Sequence, residues 1–501
     1  MDRSVAQGGS DGPEGADPAG GQPEDASTSP GLSALVSIGI GLALVTIALI
    51  VYSHTKPFRF YDHFEWQAEA FLEGQTAIRY PVPATEDSPG NWFFQDVLPV
   101  DSSDGEPRGV IPFPPLPAVV LTPFVALWGR AADGQFIFSV LGAIDVGIAW
   151  WMLGRLPIRR WVRVATTVFF GFGTVIWYAA QLGTTWYQAH VLAVGLALLS
   201  VGVAVGADPD SAYDEDELPD PDDEPGAFAR VSNAMARALA AIDRRQFIAG
   251  LLFGLACAVR LTVIFAAPFF LLVGGGGTWQ RRGLSAALGA ALPIAGLLLY
   301  NLVSTGSFLH PGYQYLYELE AGFYTPLGYD LSWWIEDPRY IPHNLGIMLF
   351  STPALAPDVV PAALGGGRAL CLDPGAVRRL FDPNCPIALP RDTGMSLLLT
   401  SPAYLLALPA LRWLYGRSRL VTGSALAVLL IGLVNVMHFS QGWVQFGYRF
   451  SNDFVPWALV LVALGLARIR TWLGVGVAIA LVVLSVAVNF WGVVWGNLLG
   501  W

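Results

Sequence analysis

The sequence predicts an all-α polytopic membrane protein, and three observations predict it. Hydrophobic residues make up 54% of the 501 positions and charged residues only 13%, against roughly 25% charged in an average soluble protein. Mean hydropathy is +0.50. Runs of apolar sequence recur along the chain at the length a bilayer demands, about 20 residues. This profile excludes an ordinary soluble domain, a disordered chain and a nucleic-acid binder. Net charge is −11, but ten acids lie in 208–224 alone, so the remainder is near neutral.

Residues 1–32 are Gly, Pro, Asp, Ser and Ala with few large apolar side chains. Such a segment buries too little surface to offset its ordering entropy, so it reads as a disordered acidic tail. No basic n-region precedes an early apolar core, so it is not a signal peptide. The transmembrane domain is expected to run from 33 to 501, starting with a span at 34–53. Further runs at 134–154, 161–181, 187–206, 283–303, 396–412, 420–438, 452–467 and 472–494 read as spans. The run 247–273 is long for one helix and carries Arg260 at its centre.

Arginines decide that ambiguity. They cluster at 155–163, 237–245, 281–282, 412–419 and 468–470. Short basic loops face the cytoplasm. With the N-terminus inside, all five clusters fall inside only if 247–273 goes up and back. That gives two half-length spans, about 11 transmembrane helices in all, and puts Arg260 near the outer turn, where it reaches water or phosphate instead of hydrocarbon. Two long loops, 54–133 and 304–394, then lie outside. The insert 207–245, with its acidic stretch, lies in the cytoplasm as a solvated linker. Apolar stretches at 110–129 and 341–356 are too Pro-rich or too short to span and read as helices along the interface. Cys371 and Cys385 share the second outer loop, and an oxidising compartment lets them pair. Cys257 reads as a small core residue.

The outer loops carry the chemistry. Over 61–74, Phe64, Ala68, Phe71 and Leu72 share one helical face, while Asp62, Glu65, Glu69 and Glu73 fall largely on another. This predicts an amphipathic helix lying on the membrane with a row of carboxylates. Asp62 stands at its start, where it serves as an N-cap, as a base, or as both. Arg449 lies in a polar and aromatic stretch beginning at His438, and His190 follows Trp186 at another outer span start. Each of these also suits a plain role as a cap or interfacial anchor, since Trp and Tyr belts are normal at headgroup depth. Carboxylates, aromatics able to stack on a sugar and arginines at headgroup depth together suit a lipid phosphate carrying a polar group. There is no Walker loop, no dinucleotide fingerprint and no Cys/His zinc spacing; Gly274–Gly277 lacks the Lys-Ser/Thr of a phosphate loop.

In these motifs and their order the chain resembles the GT-C membrane glycosyltransferases, within them the protein-O-mannosyltransferase and aminoarabinose-transferase branch. The resemblance rests on Tyr61-Asp62 through Gly74, on Pro112-Phe113-Pro114-Pro115-Leu116-Pro117 followed by Trp128-Gly129, on Gly250 through Arg260, on Asn301 through Tyr313, and on Gly447-Tyr448-Arg449 with Asp453 and Pro456. It implies a GT-C-type bundle with juxtamembrane helices in two long extracytoplasmic loops. It implies an inverting glycosyltransferase, mannosyltransferase-like, in the plasma membrane, with its N-terminus cytoplasmic and its active site extracytoplasmic. The donor would be a polyprenyl-phosphate monosaccharide, and the acceptor a hydroxyl of a glycan, lipid or protein. Asp62 would be the catalytic base, with Glu69 and Glu65 next in line. Arg449, Arg260, His190, Tyr448, Trp186, Tyr61 and His438 would bind substrate. No cofactor is implied, and metal dependence is left open. Two departures stand out. Asp62 is followed by His63 where many relatives carry a second acid, and the nearest cation to the Pro-rich motif is Arg108. The rival readings are a lipid or sugar transporter or flippase and a non-catalytic scaffold for envelope assembly.

Overall fold

The structure is a computed structural model that describes residues 30–54, 61–82, 96–102, 105–207, 242–323, 330–362, 367–414 and 418–501. The acidic tail up to residue 29 and the acidic insert 208–224 lie outside the described residues. Contacts divide the chain into residues 1–40 and residues 41–501. The first unit contributes the opening turns of helix α1 (Pro30–His54), on which Leu35 and Ile38 are exposed.

The protein is a helical, multi-pass membrane protein. Within the second unit the helices are α2 (His63–Leu72), α3 (Leu116–Trp128), α4 (Gly134–Leu153), α5 (Arg160–Gly173), α6 (Ile176–Leu182), α7 (Thr185–Gly206) and α8 (Arg244–Cys257). After them come α9 (Trp279–Thr305), α10 (Gly312–Phe323), α11 (Ile341–Phe350), α12 (Arg419–Met437), α13 (Val455–Leu466) and α14 (Trp472–Leu499). Six helices are long and apolar enough to cross a membrane (α1, α4, α7, α9, α12 and α14), or seven if α5 and α6, bent by 49° at their junction, count as one.

The expected count of about 11, two of them half-length, includes pieces too short to pass this test among the described residues. Proline is one reason. Pro402 and Pro409 sit in the run 396–412, which folds as Leu397–Thr400 and then a 3-10 helix, Pro402–Trp413. A 3-10 helix rises about 2 Å per residue, so these 12 residues still reach about 24 Å. Pro456 opens α13 at its first turn, where its missing N–H costs nothing. The run 247–273 is broken as the arginines require. It forms α8, then a 3-10 helix, Leu261–Ala266, capped by Arg260, then Phe269–Leu272.

The described parts of the two long loops have little sheet. Strands β1 (Ile78–Arg79), β2 (Leu98–Val100) and β3 (Arg108–Val110) pair antiparallel in the order β1-β3-β2. β4 (Ala354–Leu355) and β5 (Ala388–Leu389) form a second antiparallel pair. Near them a disulfide joins Cys371 to Cys385. Cys257 is free and buried.

The helices expected to lie along the interface are present as α3 and α11. The helix expected to rest on the membrane behaves differently. His63, Phe64, Glu65, Trp66, Gln67 and Ala68 of α2 are all buried, because α3 packs across it. Glu65 is thus not on a solvated acidic face. Periodicity revealed two faces but not that protein covers both.

Candidate functional site

The site is organised by the first turns of α7. The carbonyl of Tyr61 accepts from the backbone N–H and the hydroxyl of Thr185. That hydroxyl also lies 2.9 Å from His63 Nδ1, and His63 Nε2 lies 2.8 Å from Asp96 Oδ1. The start of α2 is thereby fixed to the start of α7. Trp186 gathers aromatics around it: its ring centroid is 4.8 Å from Tyr61, 5.7 Å from His63 and 6.3 Å from Phe113. Tyr313 of α10 stands edge-on to Phe113 on the far side.

Asp62 precedes α2 but does not cap it through its side chain. Its Oδ2 accepts from Arg130 Nη2 at 2.9 Å, and its Oδ1 has no hydrogen-bond partner among the described residues. Arg130 lies in the turn after α3, its guanidinium carbon 3.0 Å from the centre of the Trp66 ring. Glu65, one helical turn beyond Asp62, accepts from Gln188 Nε2 at 3.3 Å. It presses against Gly134 of α4, where any side chain would overlap its carboxyl. Burial pushes the Glu65 carboxyl up to about 8, with the nearby Asp62 charge adding to the rise. Burial also raises Asp62, opposed chiefly by the Arg130 charge. Burial thus raises both neighbouring acids, and a guanidinium opposes the rise chiefly at Asp62.

Glu69 is half-buried and adds negative charge toward Arg130. Glu73 is exposed and pairs with Arg79, with Arg108 Nη1 at 3.6 Å. Arg108 therefore serves the end of α2 and not its start. Arg130 is the cation that reaches Asp62, and it was missed from sequence. Its signal was present: it is the one basic residue between Arg108 and Arg155, directly after an apolar helix.

A second charged group stands one turn further along α7. His190 Nδ1 lies 3.1 Å from Asp453 Oδ1. Arg260 donates to Asp453 through Nε at 3.1 Å and Nη2 at 2.9 Å, and the Thr262 hydroxyl donates at 2.8 Å. The break after α8 is what frees Arg260 to reach the 3-10 turn Arg449–Asp453. Asp453, also missed as a site residue, is the anchor of this group. Phe450 lies between two cations, with the Arg260 guanidinium carbon 5.5 Å and that of Arg449 5.3 Å from its ring centre. Arg449 is also 5.7 Å from the Tyr187 ring, and its Nε has no partner among the described residues. Its guanidinium lies against Gly442, which has φ +85°.

The structure therefore brings together Asp62, Glu65, Tyr61 and Trp186 at one side of the α7 start, and Arg260, Arg449 and His190 at the other. Residues 185 and 190 bound that stretch, about 7.5 Å along the helix axis. Tyr448 is wholly buried under this layer, its ring against Phe450 and its hydroxyl without a partner among the described residues. His438 Nδ1 lies 3.2 Å from Glu336 and its ring stands edge-on to Phe450. Among the described residues no group of three or more His, Cys, Asp or Glu is placed to hold a metal ion.

No family model matches the chain, and no curated protein matches it. Among solved structures, the chain is similar to the crystal structure of ArnT from Cupriavidus metallidurans bound to undecaprenyl phosphate, with 13% identity and a TM-score of 0.42. The likeness covers 88% of this chain and 61% of that one, so this chain spans less than two thirds of the length of the protein it matches.

Proposed function

We propose that the protein is an inverting glycosyltransferase of the GT-C type. It moves a monosaccharide from a polyprenyl-phosphate donor to an acceptor hydroxyl at the outer face of the plasma membrane. One observation carries the reading. The α7 start holds an acid with a buried, unpaired carboxylate oxygen on one flank and an arginine with a buried, unpaired Nε on the other, among the described residues. Asp62 takes the proton of the acceptor hydroxyl. The hydroxyl oxygen bonds to the anomeric carbon as the bond from that carbon to the phosphate oxygen breaks. One displacement inverts the centre, and the phosphate departs with the electron pair toward Arg449. Glu65, its carboxyl pushed up to about 8 by burial, does not compete with Asp62 for the acceptor's proton. Arg260 has two donors committed to Asp453, so it shapes the phosphate side more than it grips the donor. The aromatic group around Trp186 offers faces for the sugar ring.

General-base assistance is worth about 10²–10⁴-fold. Glycans and glycolipids of cells lacking the gene, complemented by the wild type or by Asp62→Asn, test the assignment. The wild type is expected to restore a glycosyl modification that Asp62→Asn does not. Full restoration by Asp62→Asn removes the base.

A transporter is the second reading, favoured by Asp145. It sits inside the span α4, is buried, and has an oxygen without a partner among the described residues. Ionisable groups within spans often mark ion or proton paths. Asp145→Asn separates the two, since a proton-coupled transporter loses its cycle and a transferase keeps its product.

A further inference from the structure

The described residues 354–362 and 367–391 form a braced lobe. The β4–β5 pair closes its base, and the Cys371–Cys385 link closes its middle. Arg378 ties it across, donating to the carbonyls of Pro357 and Pro386 and to Asp358. A lobe so braced ought to hide its apolar side chains, yet it does not. Leu372 is 77% exposed, Val377 71% and Leu380 49%. The lobe sits on the last turns of the span α14. Leu370 and Leu389 pack on Trp495, with Trp491 and Leu499 alongside.

That seat fixes the lobe's depth. From Trp472, a hydrocarbon core about 30 Å thick takes up about 20 residues of α14, which puts Phe490 and Trp491 at its boundary. Trp rings belong at that level. Phe490 is half-exposed on the lipid-facing side of α14, and Phe381 stands edge-on to it at 6.2 Å. Phe381 is therefore at the edge of the acyl chains, and its neighbour Leu380 and nearby Val377 continue the same apolar surface.

We propose that the turn 372–381 is seated in the outer membrane boundary, with Leu372, Val377 and Leu380 inserted among the lipid chains. The occupant of this surface is lipid, because the patch continues an exposed apolar face of α14, a helix long and apolar enough to cross a membrane. The lobe is then a second, non-spanning anchor, fixed relative to the bilayer by the disulfide-closed turn. This inference is independent of the transferase reading.

The test uses the full protein in nanodiscs of phosphatidylethanolamine and phosphatidylglycerol. p-Benzoylphenylalanine in place of Val377, and separately of Leu380, is photoactivated and the adducts are identified by mass spectrometry. Phospholipid adducts at both positions are expected. Crosslinks to a second copy of the chain, or no adduct, overturn the proposal. A spin label at the same positions gives a second reading that does not rest on crosslinking yield. Molecular oxygen should relax it several-fold more than a water-soluble nickel chelate. The reverse order places the turn in water and overturns the proposal.

Discussion

Asp62 and Asp453 are both carboxylates beside α7, each facing an arginine, yet they are built for different work. The Asp453 side chain is 1% exposed and is held by Arg260 through two nitrogens, by the Thr262 hydroxyl and by nearby His190. Nothing is left over for a ligand. The Asp62 side chain is 29% exposed and held by a single guanidinium nitrogen, while its other oxygen is buried and without a hydrogen-bond partner among the described residues. Burial alone ranks Asp453 as the more special residue. The number of committed lone pairs reverses that ranking. A fully paired acid suits a strut, and a half-paired acid is the one the proposed transfer would use as its base.

The sharpest way to break this contrast is to remove each acid. Asp62→Asn should leave the thermal midpoint nearly unchanged and lower transfer by about 10²–10⁴-fold. Asp453→Ala should do the opposite first, lowering stability by about 3–5 kcal/mol because Arg260 is left buried and unpaired. Calorimetry beside glycan profiling reads both. Equal stability loss in the two variants would erase the distinction.

Gly442→Ala is the next largest. An alanine at φ +85° is strained, costing about 1 kcal/mol or more, and its methyl displaces the Arg449 guanidinium. Binding of a radiolabelled polyprenyl phosphate should weaken as it does in Arg449→Ala, while Asp62→Asn should retain it. Undiminished binding in both would take Arg449 out of the phosphate side.

Arg130→Gln should act on pH. Arg130 opposes the rise that burial imposes on the Asp62 carboxyl, so without it that rise is larger. The acidic limb of the rate profile should move to higher pH, with the rate on the alkaline plateau less affected. A limb that stays in place shows that Asp62 is not the group that must ionise.

Glu65→Gln is expected to have the smallest effect, and it is visible in stability. Glu65 stays protonated in the fold up to about 8 but ionises near its ordinary 4.5 when unfolded. Between those values the fold binds the extra proton, so stability falls as pH rises. Gln should remove that slope, which melting curves taken across this pH range can measure.

The long spans were legible because apolar runs of bilayer length have few other uses. The break at Arg260 was legible from charge alone, since arginines had to fall on one side. The shorter pieces were not, because Pro402 and Pro409 sit in a 3-10 helix and Pro456 opens a short α-helix, all without changing apolarity. At the site, Asp62, Trp186, His190 and Arg449 were marked by residue type at span ends. The partners were not. Arg260 and Asp453 are 193 residues apart, and no local pattern joins them. Arg130 was overlooked because sequence distance to the Pro-rich motif favoured Arg108, whereas α3 carries Arg130 back over Trp66. The burial of Glu65 depends on Gly134, an absence of side chain that reads as nothing in a string of letters.

The fastening of Tyr61 to Thr185 has a practical consequence. Both flanks take their position from one rod, so the gap between them is set by helical pitch and not by the surrounding surface segments. Adding or deleting a single residue between Thr185 and His190 would rotate one flank by about 100° against the other.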